Sequence, residues 1–312
     1  MFRRSGHRSC PGKSSVPCLF IVLSLLVSSA PGAAVDDQAA GQDPIEISQT
    51  AAVFALGNTE YVLLHELAHA LIHDFDIPIL GREEDAADTL ATLVLLSKHH
   101  SSDPDDKRAL AMLLVATDAW TVMWQKEREQ NADFKFWDRH AISAQRYFNI
   151  VCLIYGSDPS EFAEFAKTFR LPPDRAEWCE EEFDYASRAS KRLLAPHKGQ
   201  NAGSQIRATG TVSVIYDDPP TPLSEALKNL IQDSGLLEKT AKHIETGFGL
   251  PADMKIRLAS CGAPGAGWDI EEREVVLCYE FIELYYGFGQ EAHVEEIREL
   301  LHSSSSTPEK SD

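Results

Sequence analysis

Tyr61-Val62-Leu63-Leu64-His65-Glu66-Leu67-Ala68-His69-Ala70-Leu71, followed after Pro78 and Gly81 by Glu83-Glu84-Asp85-Ala86-Ala87-Asp88, is the stretch that decides how this chain folds. Tyr61, Leu64, Leu67, Ala68 and Leu71 recur at three- and four-residue steps, the period of an α-helix. The spacing predicts a helix from about Asn58 to Asp74. A short loop punctuated by Pro78 and Gly81 then leads to a second helix over about 82–98. Its opening acids suit a helix amino end. So short a loop returns the second helix antiparallel to the first.

Within the first helix, His65-Glu66-Leu67-Ala68-His69 is an HExxH sequence. Residues i and i+4 share a helix face, so His65 and His69 can offer two imidazole nitrogens to one tetrahedral metal. Glu66 lies beside them, placed as a general base for metal-activated water. A third protein ligand is then needed. The metzincin pattern is excluded, because Phe75 stands where its third His belongs and Ile72 where its Gly belongs. His73 lies a turn too far along to converge, since each turn advances about 5.4 Å. On the second helix Glu84 and Asp88 are four apart and share a face, the E-x-x-x-D arrangement of a gluzincin. Glu84 is the expected third ligand, with Asp88 accepting a hydrogen bond from the far nitrogen of a ligand His, His65 by preference. Glu83 and Asp88 stay open as competing ligands. His140, Arg146 and Tyr147, expected on one helical segment over about 138–155, are candidate donors to an oxyanion. Against them stands the plainer expectation that Arg146 and Tyr147 cover the helix and pair with local acids. His99-His100 reads as an ordinary helix end.

Working outward, the chain has 29 basic and 48 acidic residues and a formal charge of −19. That balance argues against nucleic-acid binding, which needs a basic face. Hydrophobic content of 44% and charged content of 25% belong to an ordinary globular protein. Residues 1–34 have the three parts of a secretory signal: Arg3, Arg4, Arg8 and Lys13, an apolar run from Leu19 to Val27, and small residues up to Ala34. Four cysteines follow it, Cys152, Cys179, Cys261 and Cys278. An even number in an exported chain suggests two disulfides. The pairing nearest in sequence is Cys152–Cys179 with Cys261–Cys278, one of three open connectivities.

The expected organisation is a signal at 1–34, a loose leader at 35–44, and a helical part over 45–195 carrying HExxH and ExxxD. A polar linker at 196–205, an α/β part over 206–289 and a disordered tail at 290–312 complete it. Further helices are expected from Asp103 through Trp124 and at 159–170, 173–194, 222–246 and 279–286. Strands are expected at 206–216, 254–258 and 274–278, the last two around a Gly-rich turn from Gly262 to Gly267. The fold class is therefore α+β, predominantly helical, with a small sheet contributed by the C-terminal third. That order is unusual, because zincin sheets normally precede HExxH.

With Leu64-His65-Glu66-Leu67-Ala68-His69-Ala70-Leu71 and Pro78-Ile79-Leu80-Gly81-Arg82-Glu83-Glu84-Asp85-Ala86-Ala87-Asp88, the chain resembles a bacterial family of exported proteins. That family is a domain of unknown function classed as metallopeptidases by its HExxH. The resemblance continues through Gln145–Cys152, Tyr155–Pro159, Cys261-Gly262 and Leu277–Glu280. It implies a zincin-like catalytic domain with one zinc per chain on His65, His69 and Glu84, and no particular substrate. One departure stands out. Where the family pattern carries Asn-Ala-x-Tyr-Asp-Pro, this chain reads Gly265-Ala266-Gly267-Trp268-Asp269-Ile270. In neprilysin-like gluzincins an Asn-Ala segment on an edge strand holds the substrate backbone.

The expectation is thus an exported, periplasmic or secreted zinc metallopeptidase acting on a peptide or protein. It would bind no nucleic acid and keep no membrane span once the signal is removed. Its rivals are a zinc-binding module of the same fold with little or no turnover, and a helical interaction domain in which HExxH is accidental.

Overall fold

The computed structural model describes residues 47–101, 106, 108–129, 136–199 and 210–290. The expected signal and leader lie outside these residues. So do the helix start at Asp103-Pro104-Asp105, the end of the linker, the beginning of the strand expected at 206–216, and the tail beyond Gln290.

Helix α1 (Gln49–Asp74) is covered on all sides, which is why apolar residues occur all round it. Phe54, Leu63, Leu67 and Leu71 join one core with the sheet and the C-terminal helices. Tyr61 and Leu64 join a second core with the helices that follow. α1 begins well before Asn58. A Cβ on Gly57 would lie 2.1 Å from Val115 Cγ2, so the glycine marks a close helix crossing. Asn58 Nδ2 donates back to the Phe54 carbonyl at 2.8 Å.

α2 (Glu83–His99) returns along α1. The contacts Lys98–Glu60, Asp88–His65 and Glu84–His69 run in opposite sequence senses, so the two helices are antiparallel. α3 (Ala109–Glu129), α4 (Ser143–Ser157), α5 (Ala163–Thr168) and α6 (Pro173–Leu194) complete the helical part. α4 starts later than expected, because Ile142 is extended. Asp138 Oδ1 accepts the His140 N–H at 3.0 Å, which makes 138–140 a turn. His140 is therefore not on the helix that carries Arg146 and Tyr147.

The four-stranded sheet has the order β1-β2-β4-β3, with β1 (Val212–Tyr216), β2 (Met254–Ala259), β3 (Ala266–Asp269) and β4 (Glu274–Cys278). β1, β2 and β4 are parallel, and β3 runs antiparallel to β4 at the edge. Met254, Ile256 and Leu258 alternate into the core, as a half-buried strand requires. β3 occupies part of the expected Gly-rich turn. The expected helix over 222–246 is two, α7 (Pro222–Ser234) and α8 (Leu236–Gly247), because Gly235 takes a left-handed φ of 64° between them. α9 (Tyr279–Gln290) packs back on α1. The fold is thus α+β and mostly helical, with the sheet after HExxH.

Cys152–Cys179 joins α4 to α6, and Cys261–Cys278 joins the loop after β2 to the end of β4. One turn beyond Cys152, a Cβ on Gly156 would lie 2.1 Å from the Cys179 carbonyl oxygen. Gly156→Ala should therefore overpack this crossing and cost about 1–3 kcal/mol. An unchanged urea midpoint would contradict so close an approach. Among the described residues, no helix is long and apolar enough to cross a membrane.

Candidate metal centre

The antiparallel pair α1/α2 brings the acids of α2's first two turns under the histidines of α1. His65 and His69 present their Nε2 atoms 3.2 Å apart. Glu84 Oε2 lies 3.4 Å from the first and 3.2 Å from the second. All three residues are buried, and their donor atoms lie within 4.8 Å of one another. Two imidazoles and a carboxylate, converging without an intervening side chain, fit a divalent transition metal.

The outward-facing nitrogens are also held. His65 Nδ1 lies 2.9 Å from Asp88 Oδ1, and His69 Nδ1 lies 2.7 Å from Glu83 Oε1. Glu83 and Asp88, the competing ligands by sequence, thus contact the far nitrogens, and Glu84 alone faces both inner ones. Asp88 is itself gripped. Arg146 donates to both its oxygens, Nε to Oδ2 at 2.7 Å and a terminal nitrogen to Oδ1 at 2.6 Å. The Tyr61 hydroxyl donates to Oδ1 at 3.3 Å. The Arg146 guanidinium lies 3.8 Å from the centre of the Trp120 ring, a cation–π contact that closes the cluster from behind.

The charges follow from this packing. Burial pulls the His65 imidazole down, but its hydrogen bonds to Asp88 and Glu84 outweigh that and raise it to about 9. His69 is raised in the same way, by Glu84 and Glu83 against burial. Burial pushes the Glu84 carboxyl up, yet His140, His65 and His69 together hold it well below the usual carboxylate range. Asp88 is held at about 2, burial being outweighed by the Arg146 charge and the bond to His65. Glu66 goes the other way. Burial pushes its carboxyl up against the pull of His65 and His69. Among the described residues its carboxylate makes no hydrogen bond, so it stands buried and unengaged beside the cluster.

Of the other candidates, the turn at 138–140 brings His140 Nε2 to 3.0 Å from Glu84 Oε2, with half its side chain exposed. Arg146 reaches Asp88 rather than the inner face of the cluster. Tyr147 is not brought to the cluster: its hydroxyl donates to the Phe169 carbonyl, and its ring packs in the second core. His73 pairs with Asp74 at the surface. Sequence reasoning missed Tyr61, Trp120, the contact of Glu83 with His69, and Arg139, whose guanidinium lies 3.2 Å from Glu84 Oε1. Tyr61 carried a signal, since it precedes His65 by one turn on the same face. Arg139 and Trp120 carried none, because only tertiary packing brings them here.

The family described as "Putative metallopeptidase" matches residues 33–194 and 216–307, most of the chain. The chain belongs to that family. No curated protein and no solved structure matches it.

Proposed function

We propose that this member of the metallopeptidase family is an exported zinc-dependent hydrolase of peptide bonds, of gluzincin type. The observation that carries the reading is the convergence of His65 Nε2, His69 Nε2 and Glu84 Oε2 beside an unengaged Glu66. Tetrahedral zinc with bonds of about 2.0–2.1 Å spaces two imidazole nitrogens about 3.3 Å apart, close to the 3.2 Å seen here. When bound, zinc supplies a Lewis acid that polarises a peptide carbonyl and lowers the pKa of water.

The chain's own residues do the rest. Asp88, clamped by Arg146, fixes the His65 tautomer so that Nε2 faces inward. Glu66 accepts the proton of the attacking water and delivers it to the leaving amine. Its raised pKa suits both directions of transfer. His140, its pKa raised chiefly by its bond to Glu84, lies beside the cluster as a donor for charge developing on the carbonyl oxygen. An extended substrate would add to the sheet beside β3, the edge strand that packs against α1. Two disulfides support export, as does the sequence of the amino end.

The test begins with zinc titrated into the metal-free mature chain at several pH values. His65 is protonated at neutral pH, so uptake should release protons, and apparent affinity should rise as pH approaches about 9. No uptake lost in His69→Ala would end the metal reading. Turnover of an unbiased peptide library is then expected from the loaded chain and not from the stripped one. The missing Asn at 265–270 favours a second reading, a zinc-binding module that grips substrate poorly. Uptake of zinc with no cleavage of any peptide would select it.

A further inference from the structure

A second group of ligating side chains lies at the opposite end of α2. His99, in the last turn, has Nε2 2.7 Å from Glu161 Oε1. His100 is the C-cap residue of the same helix. The ligating atoms of His99, His100 and Glu161 all lie within 4.8 Å of one another. His99 is fifteen residues beyond Glu84 on one helix, about 22 Å along its axis. The two groups therefore cannot share an ion.

We infer that His99, His100 and Glu161 form a second, non-catalytic site for a divalent transition metal, which clasps the end of α2 to the turn between α4 and α5. Donor chemistry sets the metal class. Two imidazoles and one carboxylate select zinc, nickel or copper over calcium or magnesium.

Three features make this more than adjacent surface histidines. First, the backbone that carries Glu161 is pinned. Asp158 Oδ1 accepts the Ser160 and Glu161 N–H groups at 2.9 and 3.0 Å, and the Asp158 carbonyl accepts from Phe162 N at 3.0 Å. Second, buried Phe162 lies under the site, its ring centre 5.9 Å from that of His99, so the imidazole rests on the second core. Ligands on fixed elements lose less freedom when they bind. Third, the site sits at the carboxyl end of a helix of seventeen residues, where the backbone dipole favours a cation. The neighbouring Lys98 ammonium is committed to Glu60 at 2.6 Å and does not compete for Glu161.

The clasp would act on the same helix that carries Glu84 and Asp88, and on the elements flanking Arg146. It does not depend on the peptidase reading, and it survives or fails separately.

Equilibrium dialysis of the stripped mature chain against zinc, with metal counted by mass spectrometry, tests it. The wild type should hold two equivalents. His99→Ala and Glu161→Gln, both changes at partly exposed positions, should each lose one equivalent and keep the other. His65→Ala/His69→Ala should lose the complementary one. Zinc should still raise the Tm of that double variant, and no longer do so once His99→Ala is added. The inference is overturned if the wild type binds a single equivalent that His65→Ala/His69→Ala abolishes. It is equally overturned if a second equivalent persists in both His99→Ala and Glu161→Gln, which would place that ion elsewhere.

Discussion

Glu66→Gln is expected to lower peptide turnover by roughly 10²–10⁴-fold, the usual worth of a positioned general base, while metal content stays at the wild-type value. The separation follows from the geometry. Glu66 is buried beside the histidines yet bonded to neither, so an isosteric amide removes the base without disturbing the ligand set. Stability supplies an independent check. Folding raises the Glu66 pKa, chiefly by burial. A carboxyl raised in this way costs stability once pH exceeds its folded pKa, because the buried group must then carry charge. Gln is neutral at every pH, so the variant should melt no lower than wild type at neutral pH. A variant that melts lower and has also lost its metal would show a structural role. Cleavage at the wild-type rate would remove Glu66 from the chemistry altogether.

The parts of the fold and site that could be read in advance rest on short sequence separations. His65 and His69 are one turn apart, and Glu84 and Asp88 likewise, so helical geometry alone puts each pair on one face. A short loop then makes the two faces meet. The disulfides formed between cysteines near in sequence, Cys152 with Cys179 and Cys261 with Cys278. What escaped was decided by distant packing or by backbone special cases. The helix expected from about Asn58 runs on through Gly57, whose missing side chain lets Val115 pack against it. Gly235 splits α7 from α8 by a left-handed φ that residue type permits but does not demand. β3 hid in a Gly-rich stretch because its ladder is supplied by β4. The sequence places His140 on one helical segment with Arg146, whereas it sits on a turn before α4, and the difference matters. On a helix with Arg146 its position would be tied to α4, whereas on the turn at 138–140 it meets Glu84 from an independent direction.

The cluster behind His65 carries the other large effect. Asp88→Ala should destabilise the chain by about 3–5 kcal/mol and weaken zinc about 10–100-fold. The side chains of Asp88 and Arg146 are 9% and 12% exposed, so removing the acid leaves a guanidinium without its charge partner in a dry place. The stranded charge, rather than the lost hydrogen bond, dominates the cost. Asp88→Ala/Arg146→Met is therefore expected to recover much of the stability, since Met keeps apolar bulk against Trp120 and brings no charge. It should not recover zinc affinity, because His65 Nδ1 still lacks the acceptor that fixes its tautomer. A double-mutant cycle that sums to simple additivity would show the two residues to be uncoupled, against the bidentate contact. pH separates the contributions further. Folding lowers the Asp88 pKa from its ordinary 3.8 to about 2, so its share of stability is full above about pH 4 and disappears as pH falls through about 2. In Asp88→Ala that acid-side loss should be missing, and the gap between the variant and the wild type should narrow toward low pH.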